Sequence, residues 1–597
     1  MMKAFAFLPL ALLVAVATAD DKPPPTVKLP LGKDTTYVTG PLDKHGYIDY
    51  EAALNAELSK GITRDNNAHA LLVQAFGPAP EGSDMPLEYF KWLDIPVPPR
   101  DGDYLVGVGT YLRDTLGLSG ERLEAVFEFL SRATQRPWAS KDCPPLAEWL
   151  KANQKPLAVA AEAVKRPEYF NPLVSKRKEG EPSNLIGSLL PTVQKCRELA
   201  SAFTARAMLR LKDGKLDDAW ADLMTVHRLG RLVTRGGTLI EALVGIAIGQ
   251  IASNSTLAYL DHPDLTSKRA LACLKELQGL PRVAPLADKI GVCERMMGLD
   301  ALQNMRRGVG GLAALLGPGE VVIPDEKKAF EMMDWTAVMQ TMNKSYDRLS
   351  AAMRLKDRAA RLKEFDKIEA DFKAIKKEFA DPEKMAKLMK EKDAGKQMGK
   401  ALGDVLMSLL SPAVQKVQQA HDRAEQVSAN LQLAFAMAAY HKDNASYPAE
   451  FADLAPKYLA TIPDDLFAGK PLIYKPTAKG YQFYSVGVNG KDDGGNTYGD
   501  DPPGDDLGVK MPLPPLKKKY RLAACEAASG KRRATPKVSS HEVARNPVAP
   551  ASRRHHQRRR REARAEAPGR EGDDLRHRPH RQGRVHRLRG RAQRAAR

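Results

Sequence analysis

Apolar residues recur at three- and four-residue intervals on both sides of a turn near residue 214. They are Leu199, Phe203, Ala207 and Leu211 before the turn, and Leu216, Ala219, Trp220, Leu223 and Val226 after it. This spacing puts apolar side chains on one face of an α-helix, and Asp213-Gly214 supplies a turn between two such helices. The pattern predicts an antiparallel helical hairpin over residues 193–211 and 215–233, within an α-helical domain of residues 47–350.

A different pattern begins at residue 351, where lysine and glutamate surround a narrow apolar stripe. The stripe alternates spacings of three and four over Phe365, Ile368, Phe372, Ile375 and Phe379. Such a stripe is typical of a coiled-coil seam, here about two heptads long. Asp381-Pro382 then supplies an N-cap and a first-turn proline for another helix. We expect a charged helical hairpin over residues 351–410, either a solvated structural element or a partner-binding arm.

Residues 411–514 combine one helix with short extended segments. An amphipathic helix runs to Tyr440, and two strand-like stretches follow at residues 472–475 and 481–486, separated by Ala478-Lys479-Gly480. The fold class expected for the whole chain is therefore mainly α, with a small C-terminal α+β module and a disordered basic tail.

The same region carries short motifs in a fixed order. They are Tyr447-Pro448, then Ile462-Pro463-Asp464-Asp465-Leu466-Phe467, and then Tyr484-Ser485-Val486-Gly487-Val488-Asn489-Gly490 before an acidic loop. This order resembles the globular domain of the major pseudopilins of type II secretion systems. It also resembles the module that ends many uncharacterised exported proteins of planctomycete-type bacteria. Leu466 departs from the family pattern, which usually has proline there.

The resemblance implies a calcium site in the acidic loop, because the terminal loop of major pseudopilins binds calcium. The ligands it implies here are Asp492, Asp493, Asp500, Asp505 and Asp506. Composition alone leaves two interpretations open. Residues 489–506 carry six aspartates and one basic residue, Lys491, which fits either a Ca²⁺ site or a solvated acidic loop.

Charge is distributed unevenly along the chain. The formal net charge is +19, and residues 516–597 account for all of it with 26 Lys+Arg against 7 Asp+Glu. The tail, residues 515–597, admits three interpretations: a basic arm for phosphates or anionic lipid, a disordered extension, or out-of-frame translation of a GC-rich gene. The abrupt loss of lysine after Lys537 favours the third. The remainder of the chain is neutral, so no nucleic-acid partner is expected for it.

The N-terminus predicts export. Lys3 precedes an apolar run over residues 4–17, which ends in Ala17-Thr18-Ala19. This arrangement is typical of a secretory signal peptide, residues 1–19, cleaved after Ala19 and leaving no transmembrane segment. A proline-rich spacer over residues 20–46 follows. We expect localisation in the periplasm or cell envelope, or secretion.

One internal segment imitates a prepilin cleavage site. Gly237 is followed by Thr-Leu-Ile-Glu and an apolar stretch to Ala252. Its position deep in the chain favours a buried helix over a processing site. Four cysteines lie in the mature body without C-x-x-C spacing, and we expect buried free thiols. They are Cys143, Cys196, Cys273 and Cys293.

Catalytic motifs are absent from the sequence. It contains no H-E-x-x-H, G-x-S-x-G or G-x-x-x-x-G-K-[ST] pattern, and we interpret His227 as a packed or surface residue rather than a base. We expect an exported, non-enzymatic binding or structural protein of the cell envelope, with an unidentified protein or envelope partner. The alternatives are a component or client of a type II secretion or pilus-like machine, and an enzyme whose site lies in the helical domain.

Overall fold

The computed structural model describes residues 30–178, 181–188, 190–308, 331–379, 381–388, 390–477 and 479–516. These residues are mostly helical, with small antiparallel sheets near the C-terminal end. This confirms a mainly α fold with a small sheet content. The signal peptide, the first part of the spacer and all but the first two residues of the basic tail lie outside the described residues.

The helices of the described residues are numbered here in chain order. They are α1 (Tyr50–Leu58), α2 (Ala68–Phe76), α3 (Leu87–Trp92), α4 (Gly120–Ala133), α5 (Pro144–Ala152), α6 (Gln154–Ala163), α7 (Pro191–Lys212), α8 (Leu216–Val233), α9 (Leu239–Leu260), α10 (Ser267–Gln278), α11 (Arg295–Arg306), α12 (Trp335–Arg354), α13 (Arg358–Phe379), α14 (Pro382–Leu388) and α15 (Ala394–Asn444). Short π-helical segments occur at Tyr111–Thr115 and Lys289–Glu294.

The predicted helical hairpin is confirmed as α7 and α8. The two helices pack together, and Gly214 between them has a φ of +71°, a conformation that glycine adopts without steric cost. Leu199, Phe203 and Leu223 are fully buried, so the apolar stripes read from the sequence face the interior. The hairpin forms the centre of the larger hydrophobic cluster, to which α2, α4, α5, α6, α9 and α10 also contribute.

The segment that imitates a prepilin site forms the start of α9. Thr238 is the N-cap: its Oγ1 accepts from the N–H of Glu241, whose carboxylate accepts from the N–H of Thr238. Gly237 and Thr238 are buried, which agrees with the predicted buried helix. Among the described residues, one helix, α9, has the length and the apolar composition needed to cross a bilayer. The fold buries 56% of its most apolar window, as in the core helix of a globular protein.

The first three residues of the predicted seam face the protein interior. Phe365, Ile368 and Phe372 are buried in a second hydrophobic cluster with residues of α1, α11, α12 and the first half of α15. Asp381 caps α14 as predicted, because its carboxylate accepts from the N–H groups of Glu383 and Lys384.

The longest helix, α15, contributes to both clusters. Its first half, including Leu402 and Val414, lies in the second cluster, whereas Leu431 and Phe435 lie in the larger one. The helix has 51 residues and continues without interruption across residue 411, where the sequence suggested a module boundary. It therefore joins the charged segment and the C-terminal module by one continuous backbone.

Two antiparallel sheets follow α15. β1 (Asp464–Asp465) pairs with β2 (Lys470–Pro471), and β3 (Ile473–Thr477), β4 (Gly480–Ser485) and β5 (Leu507–Met511) form a three-stranded sheet in that order. The two predicted strands are confirmed as β3 and β4 to within two residues. β5 was not predicted from the sequence, in which no strand was assigned after the acidic loop.

Candidate metal centre

The acidic loop connects two neighbouring strands of the sheet. β4 ends at Ser485 and β5 begins at Leu507, and these two residues are paired across the ladder. The loop between them therefore returns to its own starting point. Gly487 lies where the two ends of the loop approach each other, which we call the neck. Its φ is +70°, and a Cβ there would come within 2.3 Å of the carbonyl oxygen of Asp505. The neck requires glycine because only glycine combines this φ with so close an approach.

Three aspartates of the loop converge above this neck. One carboxylate oxygen from each of Asp493, Asp505 and Asp506 lies within 4.8 Å of the others. These residues, called the acidic group below, are brought together by the return of the loop, because Asp493 is 12 and 13 positions from its two partners.

Backbone N–H groups hold one oxygen of each carboxylate. Asp506 Oδ2 accepts from the N–H of Asp493 at 3.1 Å and of Gly495 at 2.7 Å. Asp493 Oδ2 accepts from the N–H of Asp505 at 2.9 Å, and Asp505 Oδ2 accepts from the N–H of Val488 at 3.0 Å. The carboxylates are thus fixed in position by the loop that carries them.

The other oxygens of the two most buried carboxylates have no donor. Asp505 is 6% exposed and Asp506 is 2% exposed, and the Oδ1 atom of each is buried without a hydrogen-bond partner. A buried carboxylate oxygen without a donor loses its hydration and gains nothing in return. A cation bound by these oxygens would offset that cost. Oxygen ligands from carboxylates and carbonyls are those that Ca²⁺ prefers.

One cation of the protein lies beside the acidic group. Arg423 of α15 donates from Nη2 to Asp505 Oδ2 and to the hydroxyl of Tyr498, both at 2.8 Å. Arg423 pairs with one of the three carboxylates, and the charges of Lys491 and Lys475 act on the group from further away. Burial raises the pKa of Asp506, and the charges of Asp493 and Asp492 raise it further. The N–H of Asp505 and the Asn489 amide lower the pKa of Asp493.

The other two aspartates of the predicted site lie outside the acidic group. Asp492 Oδ1 accepts from the hydroxyl of Tyr484 at 2.9 Å, and Asp500 Oδ2 accepts from the N–H and hydroxyl of Thr497. The structure therefore brings together Asp493, Asp505 and Asp506 and assigns the remaining two to turns within the loop.

Sequence reasoning missed Arg423. It stands on an amphipathic helix 82 positions before Asp505, and no local pattern distinguishes it from the other charged residues of that helix. The pairing arises because α15 packs along β5, as the Asn430 amide bonded to the Leu507 carbonyl also illustrates.

A buried polar chain crosses the helical region. His69 Nε2 lies 2.6 Å from the Tyr89 hydroxyl, which donates to Asn171 Oδ1 at 3.1 Å, and Asn171 Nδ2 donates to Glu241 Oε1 at 3.0 Å. Burial lowers the pKa of His69 to about 3, so the ring is neutral at physiological pH. These residues are far apart in the sequence, and no sequence motif predicts that they are in contact. Their interlocked hydrogen bonds serve the packing of α2, α3 and α9.

The isolated candidates for chemistry are packed within the fold. His227 is buried and its Nε2 lies 3.0 Å from Thr256 Oγ1, which confirms its interpretation as a packed residue. Cys143, Cys196, Cys273 and Cys293 are buried and free, as expected. Burial raises the pKa of Cys273 to about 11 and that of Cys196 further, which disfavours the nucleophilic thiolate form.

Comparison with models of known protein families, with curated proteins and with solved structures finds no match to this chain.

Proposed function

We propose that the protein is an exported, non-enzymatic binding or structural component of the cell envelope whose C-terminal module binds Ca²⁺. The observation that carries the calcium proposal is the pair of buried Oδ1 atoms of Asp505 and Asp506, which have no donor. They belong to carboxylates that converge with that of Asp493. Arg423 pairs with one of the three carboxylates, so the acidic group keeps negative charge that a divalent cation would balance.

The envelope location is supported by the sequence. Residues 1–19 have the composition of a secretory signal peptide, and the body of the chain is neutral. The order of elements also supports a pseudopilin-like module, because a long helix precedes an antiparallel sheet with an acidic loop before its last strand. An envelope protein is the partner class that fits this setting.

Bound Ca²⁺ would stabilise the neck of the loop. Its ligands would come from Asp493 on one side and from Asp505 and Asp506 on the other, so that the ion would join the two ends of the loop. A ligand that binds only the folded state adds about 2.7 kcal/mol to the free energy of unfolding at a concentration 100 times its Kd.

The test measures the melting temperature of the mature chain with EDTA and with excess CaCl₂, alongside isothermal titration with Ca²⁺. The informative variant is Asp506→Asn, whose amide oxygen can still accept the N–H groups of Asp493 and Gly495. Asp500→Asn is the matched control, since it removes one carboxylate from the same loop outside the acidic group.

We expect Ca²⁺ to raise the melting temperature of the wild type and of Asp500→Asn, and to leave that of Asp506→Asn almost unchanged. An equal calcium response in Asp506→Asn, or none in the wild type, would overturn the proposal.

A further inference from the structure

A second site of interest lies in a cleft between α8, α9 and α15. Its cavity volume is about 40 Å³, roughly three times the ~10–15 Å³ that one water molecule requires. It is lined by polar groups of α8, α9 and α15, by two glycines of α9, and by apolar side chains of α9, α10 and α15. We call it the Arg231 cleft.

Glycines on α8 and α9 shape the cleft in two ways. Some allow the two helices to touch, and another leaves an unfilled space beside the contact. A Cβ at Gly230 would lie 3.0 Å from the carbonyl oxygen of Gly245, and a Cβ at Gly245 would lie 2.4 Å from the backbone nitrogen of Thr234. The two helices therefore touch through their backbones. One turn further along α9, a Cβ at Gly249 would meet no heavy atom within 4 Å, so the space beside it stays open.

Arg231 supplies a cation without an anionic partner. Its Nη2 donates to Ser428 Oγ at 3.1 Å. It forms no salt bridge with a carboxylate in the described part of the chain, although the charge of Glu425 acts on it. Burial lowers the pKa of Arg231, and the charge of Glu425 raises it only in part. A partly desolvated guanidinium without a counter-ion is costly, and a bound anion would reduce that cost.

The cleft carries a single positive charge. His227 also lines it, and burial together with the charge of Arg231 lowers the pKa of His227 to about 3, which keeps the ring neutral. Ser428 offers a hydroxyl beside the guanidinium. Apolar side chains form part of the cleft wall, among them Leu277, Leu280, Val283 and Leu431.

We infer that the Arg231 cleft binds the carboxylate group of a small aliphatic acid. The carboxylate pairs with the Arg231 guanidinium and the Ser428 hydroxyl, and a chain of two or three carbons contacts the leucines of the wall. The paired donors of arginine suit a carboxylate or a phosphate. The carboxylate is favoured because one guanidinium balances a monoanion and leaves a dianionic phosphate half neutralised. This site is separate from the acidic group and does not depend on the calcium proposal.

Titration of the mature chain with sodium propionate, followed by protein NMR shifts or calorimetry, tests the inference. We expect a Kd on the order of 1 mM for a ligand of this size. Propionamide has the same shape without the charge and should bind at least about tenfold more weakly, whereas inorganic phosphate tests for a general anion site. The titration is run in EDTA and in CaCl₂, with the same result expected in both.

Two variants locate the binding site. Gly249→Leu fills the cleft without a steric clash at its Cβ, and Arg231→Gln removes the charge but keeps a donor for Ser428. Both should weaken propionate binding at least about tenfold. The control Arg228→Gln, which removes a positive charge from α8 at a residue that does not line the cleft, should retain it. Circular dichroism and the melting temperature of each variant report whether it remains folded.

Wild-type affinity in the folded Gly249→Leu variant, equal binding of propionamide, or no response to propionate would each overturn the inference. Phosphate binding that matches propionate would also overturn it, because it would indicate a general anion site.

Discussion

Arg361 and Asp422 form a buried ion pair that joins α13 to α15. Arg361 Nη2 lies 2.9 Å from Asp422 Oδ1 and 2.7 Å from Asp422 Oδ2, and both side chains are less than a tenth exposed. Gln418 donates to the same carboxylate at 2.8 Å. The next residue, Arg423, reaches Asp505 of the acidic group. Consecutive residues of one helix thus bind the charged segment on one side and the acidic loop on the other.

Removal of one partner should be costly. We expect Arg361→Met to lower the free energy of unfolding by ~1–3 kcal/mol, because the buried Asp422 carboxylate would lose its two short contacts with Arg361. It would keep Arg358, whose Nε lies 3.7 Å from Asp422 Oδ2. Urea denaturation followed by circular dichroism measures this change.

An exposed pair on the same helix provides the control. Lys373 and Glu369 lie 2.7 Å apart with the lysine side chain 75% exposed, and Lys373→Met should cost at most ~1 kcal/mol. The double variant Arg361→Met with Asp422→Leu should recover part of the loss. Similar costs for Arg361→Met and Lys373→Met would contradict the role assigned to the buried pair.

The carboxyl of Asp300 predicts a pH dependence of stability. Asp300 lies on α11, 1% exposed, and accepts from the hydroxyl of Ser183 and from the N–H of Leu185. Burial raises its pKa from 3.8 to about 7, although these hydrogen bonds lower it in part. The folded protein therefore holds a proton on this carboxyl that the unfolded chain loses near pH 4.

The contribution of Asp300 to stability should fall as the pH rises from about 4 to about 7, since this carboxyl binds a proton in the folded state that the unfolded chain has lost. One proton corresponds to a slope of at most ~1.4 kcal/mol per pH unit. Asp404, whose pKa is raised to about 6, adds to the same trend. The buried neutral rings of His69 and His227 contribute in the opposite direction below about pH 6.5, because their pKa is lowered to about 3. Urea titrations across this range should show a slope of stability against pH that is more positive in Asp300→Asn than in the wild type, and an equal slope in the two proteins would refute the assignment.

The neck of the acidic loop should not tolerate a side chain at residue 487. In Gly487→Ala the new Cβ would meet the Asp505 carbonyl at 2.3 Å and would also occupy a φ of +70°. The backbone cost alone is ~1–2 kcal/mol, and displacement of Asp505 should add to it. We expect a lower melting temperature together with a weaker calcium response.

Gly490 offers a control for the backbone cost. Its φ is +68°, but a Cβ there meets nothing within 4 Å. Gly490→Ala should show only the ~1–2 kcal/mol of the left-handed conformation and should retain the calcium response. Equal effects of the two alanines on calcium binding would argue against a neck that positions Asp505.

Local patterns in the sequence predicted the elements whose causes are local. The hairpin of α7 and α8 follows from apolar spacing around Gly214, and β3 and β4 follow from alternation on either side of a short turn. The sequence predicted an acidic loop but could not tell which of its aspartates converge. Asp493 meets Asp505 and Asp506 because the two ends of the loop approach each other at Gly487.

Features that depend on distant partners were out of reach. The pairing of Arg423 with Asp505, the chain from His69 to Glu241 and the gap at Gly249 each require knowledge of which helices are neighbours. β5 was missed because Leu507–Met511 follows an acidic loop, and its burial alternates only at Val509 and Met511.

The continuity of α15 affects how the protein unfolds. A helix of 51 residues rises about 77 Å, and it carries core residues of both hydrophobic clusters along its length. Severing it near residue 411 would strip Leu431 and Phe435 of the helix turns that precede them and would leave Val414 at a frayed end. The C-terminal module therefore shares its core with the helical domain. Heat should unfold the two clusters together in one cooperative transition.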